Sequence, residues 1–331
     1  MTSAMLRAEQ LMEYDKPVPR YTSYPTAPEW HDVQPTLYSD HLTRFDQQQQ
    51  PLSLYFHIPF CKTMCLYCGC SVVLNRKSEN ETYYVDHLIK EVELVASHFK
   101  RPHPITQLHF GGGTPTKLNE QELTRLFSAI TSSFAIDWTG EIAIEIDPRT
   151  VAADGGKKLS SLRSLGFNRV SFGVQDTDPT VQEAVKRRQS FAMTKQTYEW
   201  ARELGFQGIN IDLIYGLPYQ TTATFTKTVD DILSLKPDRI ALFSYAKIPW
   251  LKPHQKAIPE NTLPSTQEKF EIYCMAREQF TANGYVAIGM DHFALADDDL
   301  AKAFYNKTLQ RNFQGYSLQL AENALGLGVT S

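Results

Sequence analysis

The sequence predicts an α/β protein, an open partial barrel of six βα units, (β/α)6, around a mostly parallel sheet. Three observations predict it. Short apolar runs with period-two alternation recur along the chain, separated by stretches with apolar residues at helical spacing. Each connection is long enough for the crossover helix that neighbouring parallel strands require. The unusual stretches HIPFC, GGGTP, EIDP, GVQ, IDLIYGLP and YAKIP all come where a strand finishes, the edge on which parallel sheets build ligand sites.

Residues 1–50 read as an extended N-terminal arm. A short helical stretch is followed by KPVPRYTSYPTAPEW, whose prolines at 17, 19 and 25 forbid a helix, and Gln47–Gln50 reads as a connection. The barrel is assigned to 51–293. Its strands are LSLYFHI (52–58), ITQLHF (105–110), GEIAIEID (140–147), RVSFGVQ (169–175), INIDLIYGLP (209–218) and RIALFSYA (239–246). Helices are expected at 81–99, 119–134, 157–165, between 178 and 204, at 221–235 and at 265–282. YVAIGM (285–290) closes the series, and 294–331 is read as the start of a truncated C-terminal region.

At 331 residues, 42% hydrophobic and with net charge −4, the chain can bury a large core and has no broad cationic field for nucleic acid. No apolar run is long enough to span a bilayer, and the first twenty residues lack the apolar core of a signal peptide. The expectation is a soluble, cytoplasmic monomer.

Four of the five cysteines lie in YFHIPFCKTMCLYCGC: Cys61, Cys65 and Cys68 at C-x3-C-x2-C spacing, then Cys70. A disulfide framework suits small secreted chains. Structural zinc usually takes two separated ligand pairs, and no second pair follows here. An iron–sulfur cluster is the third reading. Three thiolates on four irons would leave one iron open to a small molecule, and the spacing resembles that of the radical S-adenosylmethionine superfamily.

Other strand ends add candidates. Gly111-Gly112-Gly113-Thr114-Pro115 is neither a Walker loop nor a G-x-G-x-x-G fingerprint, and its glycines let the backbone approach a ligand with amides free to bind it. Alternation puts Glu145 and Asp147 on one face of their strand. Gln175 ends the fourth strand with both a donor and an acceptor. Asp212, inside an apolar run, needs a partner. Arg187 alone would read as a solvated helix residue, His57 equally as a satisfied core histidine, and Cys274 as a packed helix position.

Read together, HIPFC, CLYCGC, GGGTPT, EIDPR, FGVQD, NIDLIYGLP, GMDHF and the arm PRYTSYPT resemble the oxygen-independent coproporphyrinogen III oxidase family. The resemblance implies a 4Fe–4S cluster on Cys61, Cys65 and Cys68, with Cys70 outside the ligand set. It implies two S-adenosyl-L-methionine molecules, contacted by Tyr55, Tyr67, Gly112, Gly113, Thr114, Glu145, Gln175, Arg187, Asp212 and Ala246. It further implies that a 5′-deoxyadenosyl radical drives oxidative decarboxylation of two propionates of coproporphyrinogen III to vinyl groups, with an external electron donor and acceptor, in heme biosynthesis. Arg20, His57 and Arg311 are nominated to meet the substrate carboxylates. The family continues past LGLGVTS into a further C-terminal domain, absent here, so this chain is expected to cleave cofactor with little coupling to decarboxylation. A heme-binding or heme-delivery protein on the same scaffold is the alternative, and a radical enzyme acting on another substrate is a third.

Overall fold

The computed structural model describes residues 31–48, 50–312, 315–318 and 323–331. Its first element was not foreseen: within the stretch read as an extended arm, Pro35–Gln48 form helix α1. Pro35 opens it, where a missing N–H is harmless, and the buried Leu42 and Asp46 are four residues apart on one stripe.

Six strand–helix units follow. β1 (Leu52–Ile58) leads to α2 (Ser78–Ala96), and β2 (His103–Gly112) to α3 (Glu120–Ser133). β3 (Phe134–Ile146) is followed by α4 (Pro148–Ala152) and α5 (Lys157–Leu165), and β4 (Arg169–Gln175) by α6 (Pro179–Ala184) and α7 (Phe191–Glu203). β5 (Gly208–Tyr215) precedes α8 (Thr222–Leu235), and β6 (Arg239–Ser244) precedes α9 (Thr266–Ala282). The strands pair in parallel in sequence order, as the crossover helices require. Starts and stops are written locally. Asn119, Asp178, Ser190 and Ser265 cap helix N-termini with their side chains, and Gly166 ends α5 at φ 106°.

The end of the chain departs from the expected series. β7 (Tyr285–Ile288) runs through Gly289–Asp291 into β8 (His292–Leu295), and β8 pairs antiparallel with both β6 and β7. Three residues cannot make a parallel crossover, so the chain folds back as a hairpin. Helix α10 (Asp299–Tyr305) follows. Then β9 (Asn323–Leu327), within the stretch assigned to a separate C-terminal region, pairs in parallel with the free edge of β1. The order is β9-β1-β2-β3-β4-β5-β6-β8-β7, and among the described residues the two edge strands do not pair, so the sheet stays open.

Alternation gives the sheet two chemically different faces. Leu54 and Phe56, Leu108 and Phe110, Ile144 and Ile146, Phe172 and Val174, Ile211 and Leu213 are buried in the main core with apolar residues of the helices. The other face carries Tyr55 and His57, His109, Glu145, Ser171, Asn210, Asp212 and His292. At the N-terminal end of that face, Glu141 and Asp298 bridge Arg169 and Arg239, with Arg239 contacts of 2.8 Å and Arg169 contacts of 3.2 Å. These charges satisfy one another and leave the opposite, C-terminal edge as the open functional end.

Candidate functional site

Immediately after β1 the chain makes the cysteine loop. Phe60–Cys61 pairs with Val73–Leu74, and the loop closes through Val73 N–H to Pro59 O at 2.7 Å and Asn75 N–H to Cys61 O at 3.0 Å. A distant segment then grips its backbone. Gln255 Nε2 donates to Tyr67 O at 2.9 Å and to Ala246 O at 3.2 Å; His254 Nε2 bonds Cys68 O at 2.8 Å; Lys252 Nζ donates to Cys70 O at 2.8 Å. Leu66 N–H reaches Val185 O at 3.0 Å. The loop is thus held by its carbonyls and amides, leaving the thiols for other work. Cys65 is buried, Cys61 and Cys68 are half-buried, and Cys70 is exposed; all are free thiols.

The surroundings of Cys65 suit an anionic sulfur. Asp147, at the end of β3, caps α4 through Arg149 N–H at 3.0 Å and clamps the Arg149 guanidinium, with Nη2 to Oδ2 at 2.6 Å. Its Oδ2 also takes Arg187 Nη1 at 3.3 Å. The same two guanidiniums reach Cys65 Sγ, Arg187 at 3.6 Å and Arg149 at 3.9 Å. Against strong desolvation, the Arg187 and Arg149 charges and hydrogen bonds from Arg149 hold the Asp147 carboxyl down to about 2. Two cations and one carboxylate leave one positive charge over, facing the Cys65 sulfur. Burial pushes the Cys61 thiol up to about 11, despite its 3.5 Å contact with Thr114 Oγ1, while a hydrogen bond from the Cys70 thiol draws Cys68 down to about 6. Among the described residues no three His, Cys, Asp or Glu side chains converge on one point as a single ion's ligands would. A cubane makes no such demand, because each thiolate binds a different iron.

Tyr55, His57, Glu145 and the glycines form one packed unit. Tyr55 OH bonds His57 Nδ1 at 3.1 Å, and His57 Nε2 bonds Ser71 O at 3.0 Å. The carbonyl can only accept, so His57 donates from Nε2 and receives the phenol at Nδ1. Both nitrogens are spent inside the chain, which makes His57 a brace between β1 and the cysteine loop rather than a substrate contact. Glu145 bonds His109 Nε2 at 3.3 Å and accepts Gly112 N–H at 3.2 Å, while Gly113 N–H reaches Ile58 O at 2.9 Å. The amides of Gly112 and Gly113 are therefore not free, as the sequence reading supposed. A Cβ on Gly113 would stand 2.6 Å from Pro59 O, and one on Gly112, at φ +119°, 2.9 Å from His57 and Ile58 O. The glycines answer first to close packing of β2 against the cysteine loop.

Several buried polar atoms nearby have no hydrogen-bond partner among the described residues. Gln175 has φ 73°, a left-handed value unusual for a side-chain-bearing residue, at a register shift where β4 ends, and its Oε1 is buried with no hydrogen bond. Arg187 Nε and Asn210 Oδ1 are likewise unsatisfied. Asp212 accepts Ser171 Oγ at 3.0 Å and Asn210 Nδ2 at 2.7 Å, and burial, with Glu145 adding to it, raises its carboxyl to about 6. Buried polar atoms held this way suit a polar cofactor better than an apolar one. Tyr67 packs beside Leu66, Val181, Leu217 and Tyr245, and Ala246 is exposed after β6. Arg311 stacks its guanidinium 4.7 Å over the Tyr316 ring, with Nη1 3.2 Å from Tyr316 OH, and that ring lies 5.3 Å from His292 of the polar face. Arg20 lies outside the described residues. Sequence reasoning missed Arg149, Gln255, His109 and His254. Arg149 stood in the quoted EIDPR, whereas nothing near residue 255 pointed to a loop some 190 positions earlier.

The comparisons agree with this geometry. The chain matches the Radical SAM superfamily over residues 55–232. It is 44% identical over 325 residues to the oxygen-independent coproporphyrinogen III oxidase of Synechocystis sp., covering 98% of this chain and 69% of that protein. The Pseudomonas aeruginosa protein of the same name is 45% identical over 327 residues, covering 98% and 70%. The chain belongs to the oxygen-independent coproporphyrinogen III oxidase family. The solved coproporphyrinogen III oxidase of Escherichia coli, described as a radical SAM enzyme, superposes with TM-score 0.89 at 41% identity, covering 96% of this chain and 71% of that one. Within the coproporphyrinogen oxidase family frame, the superfamily match takes in the cysteine loop, the glycine run, Glu145, Gln175, Arg187 and Asp212. The 252–255 clasp and Arg311 lie beyond it.

Proposed function

We infer that this chain is a radical S-adenosylmethionine oxidoreductase that converts two propionates of coproporphyrinogen III to vinyl groups, giving protoporphyrinogen IX in heme biosynthesis. The observation that carries it is the charge arrangement at Cys65 beside the unsatisfied Gln175 and Arg187 atoms, in a chain of this family. The residues fit a 4Fe–4S cluster on Cys61, Cys65 and Cys68. When bound, the cluster and S-adenosyl-L-methionine supply one-electron cleavage of a sulfonium and a carbon radical that removes hydrogen from the propionate.

The chain's own residues hold and orient. Arg187 and Gln175 offer a donor and an acceptor for the cofactor's carboxylate and amino group, and Asp212 and Glu145 offer acceptors for amino and hydroxyl groups. Tyr55, Tyr67, Gly112, Gly113, Thr114 and Ala246 line the same edge, and a second cofactor molecule is placed there too. Arg311, and Arg20 from the arm, are the proposed cations for substrate carboxylates. The body of the enzyme is placed at 51–293, with β9 joined to it from the C-terminal region. Free thiols throughout support a reducing, cytoplasmic setting, and no helix of the described residues is long and apolar enough to cross a membrane. The protein is proposed to act as a monomer, with an electron donor and acceptor from outside.

Anaerobic reconstitution followed by product analysis tests this. Vinyl products from coproporphyrinogen III, together with 5′-deoxyadenosine and methionine, are the expected outcome. Stoichiometric binding of heme with no turnover of the porphyrinogen would replace the assignment with a heme carrier.

A further inference from the structure

We propose that Arg149 is a positioning residue that sets the reduction potential of the centre held at Cys65. The proposal rests on the cluster reading above and deepens it. Arg149 is the second residue of α4, so the turn that starts this helix fixes where its guanidinium lies. Asp147 then takes up its N–H groups in a fork: Nε lies 3.0 Å and 3.1 Å from the two carboxylate oxygens and Nη2 lies 2.6 Å from Oδ2. The Nη2 that remains within reach of sulfur stands 3.9 Å from Cys65 Sγ. Cys65 is buried, and Arg149 itself is only about a quarter exposed, so water screens this pair weakly.

Arg187 shares Asp147 and Cys65 but also binds Gly173 O and belongs to the proposed cofactor contacts. Arg149 has no such second duty: among the described residues its side-chain hydrogen bonds go to Asp147 and Cys65. A cation and an N–H aimed at a ligating thiolate withdraw negative charge from it. The reduced centre carries one more electron than the oxidised one, so this withdrawal favours reduction. Removing Arg149 therefore makes the centre harder to reduce while the three thiols stay in place.

The test compares the parent chain with Arg149→Gln and Arg149→Lys after anaerobic loading with iron and sulfide. Iron and sulfide per chain are read first, and then the EPR signal of the reduced centre at the potential where the parent is half reduced. The expected result is unchanged iron in Arg149→Gln, a fall in the reduced-to-oxidised ratio of roughly threefold or more, and partial recovery in Arg149→Lys, which keeps the charge without the fork. An equal ratio in Arg149→Gln overturns the proposal. Loss of iron from both variants also overturns it, since Arg149 would then hold the loop rather than tune the centre. Should only the glutamine variant lose iron, the lysine variant decides: a ratio equal to the parent's overturns the proposal, and a lowered ratio supports it. A parent chain that takes up no iron fails the cluster reading itself, a result separate from these.

Discussion

At Cys65, three thiols drawn close by C-x3-C-x2-C spacing acquire an electrostatic environment that spacing cannot describe. Two arginines, one from α4 and one from the loop after α6, and one aspartate complete it. Replacing Cys61, Cys65 or Cys68 with alanine should reduce the iron of anaerobically loaded protein to background. Cys70→Ala should keep close to four irons per chain, as metal analysis will read. A second residue-scale prediction concerns Asp176, just past β4. Its carboxylate accepts Asp178 N–H at 2.7 Å and Thr228 Oγ1 at 2.8 Å, together with Gln220 Nε2. Burial outweighs these bonds and raises it to about 6. The folded chain therefore keeps this proton over a range where the unfolded chain, near 3.8, has lost it. Stability falls as pH rises from 4 to 6, by at most about 1.4 kcal/mol per pH unit for this group. Asp176→Asn should flatten that part of the profile in urea melts at stepped pH. An unchanged slope would place the titration elsewhere, Asp212 being the other carboxyl raised to the same range.

Among the elements, the cysteine loop is stabilised by its neighbours more than by its own turns. β2 presses its terminal glycines against it, and the 252–255 segment grips three of its carbonyls. Gly113→Ala would set a Cβ 2.6 Å from Pro59 O, a contact that moves backbone rather than a flexible side chain. We expect a loss of about 1–3 kcal/mol in a denaturant melt and faster release of iron to a chelator. Wild-type rates of release would show that the loop tolerates displacement from β2. The hairpin β7–β8 teaches a different point. YVAIGM has a strand's composition, but composition does not specify direction; the three-residue connection to His292 does.

For the molecule as a whole, the proposed iron ligands and cofactor contacts, and the sheet that carries them, lie among the described residues. The protein, loaded anaerobically and reduced with dithionite, should release 5′-deoxyadenosine from S-adenosyl-L-methionine. Adding that cofactor should perturb the EPR spectrum if, as proposed, it would bind at the open position of the cluster. An unchanged spectrum at saturating cofactor would count against an open-iron site. The four-charge lock of Glu141, Arg169, Arg239 and Asp298 closes the far end of the same face. It joins residues up to 157 positions apart in the sequence, from Glu141 to Asp298.

What the sequence determined by itself was whatever depends on neighbours along the chain. Period-two and helical spacing placed β1, β4 and α5 at their observed bounds, and thiol spacing with residue-by-residue resemblance nominated the cofactor set. What only the tertiary structure decided depends on segments meeting from far apart. It put Arg149 and Arg187 on one sulfur, spent both nitrogens of His57 internally, and tied up the Gly112 and Gly113 amides. It also brought β9 from the far end of the chain to the edge of β1. Periodicity reports which side of an element is buried; it carries no information about which polar group will be waiting there.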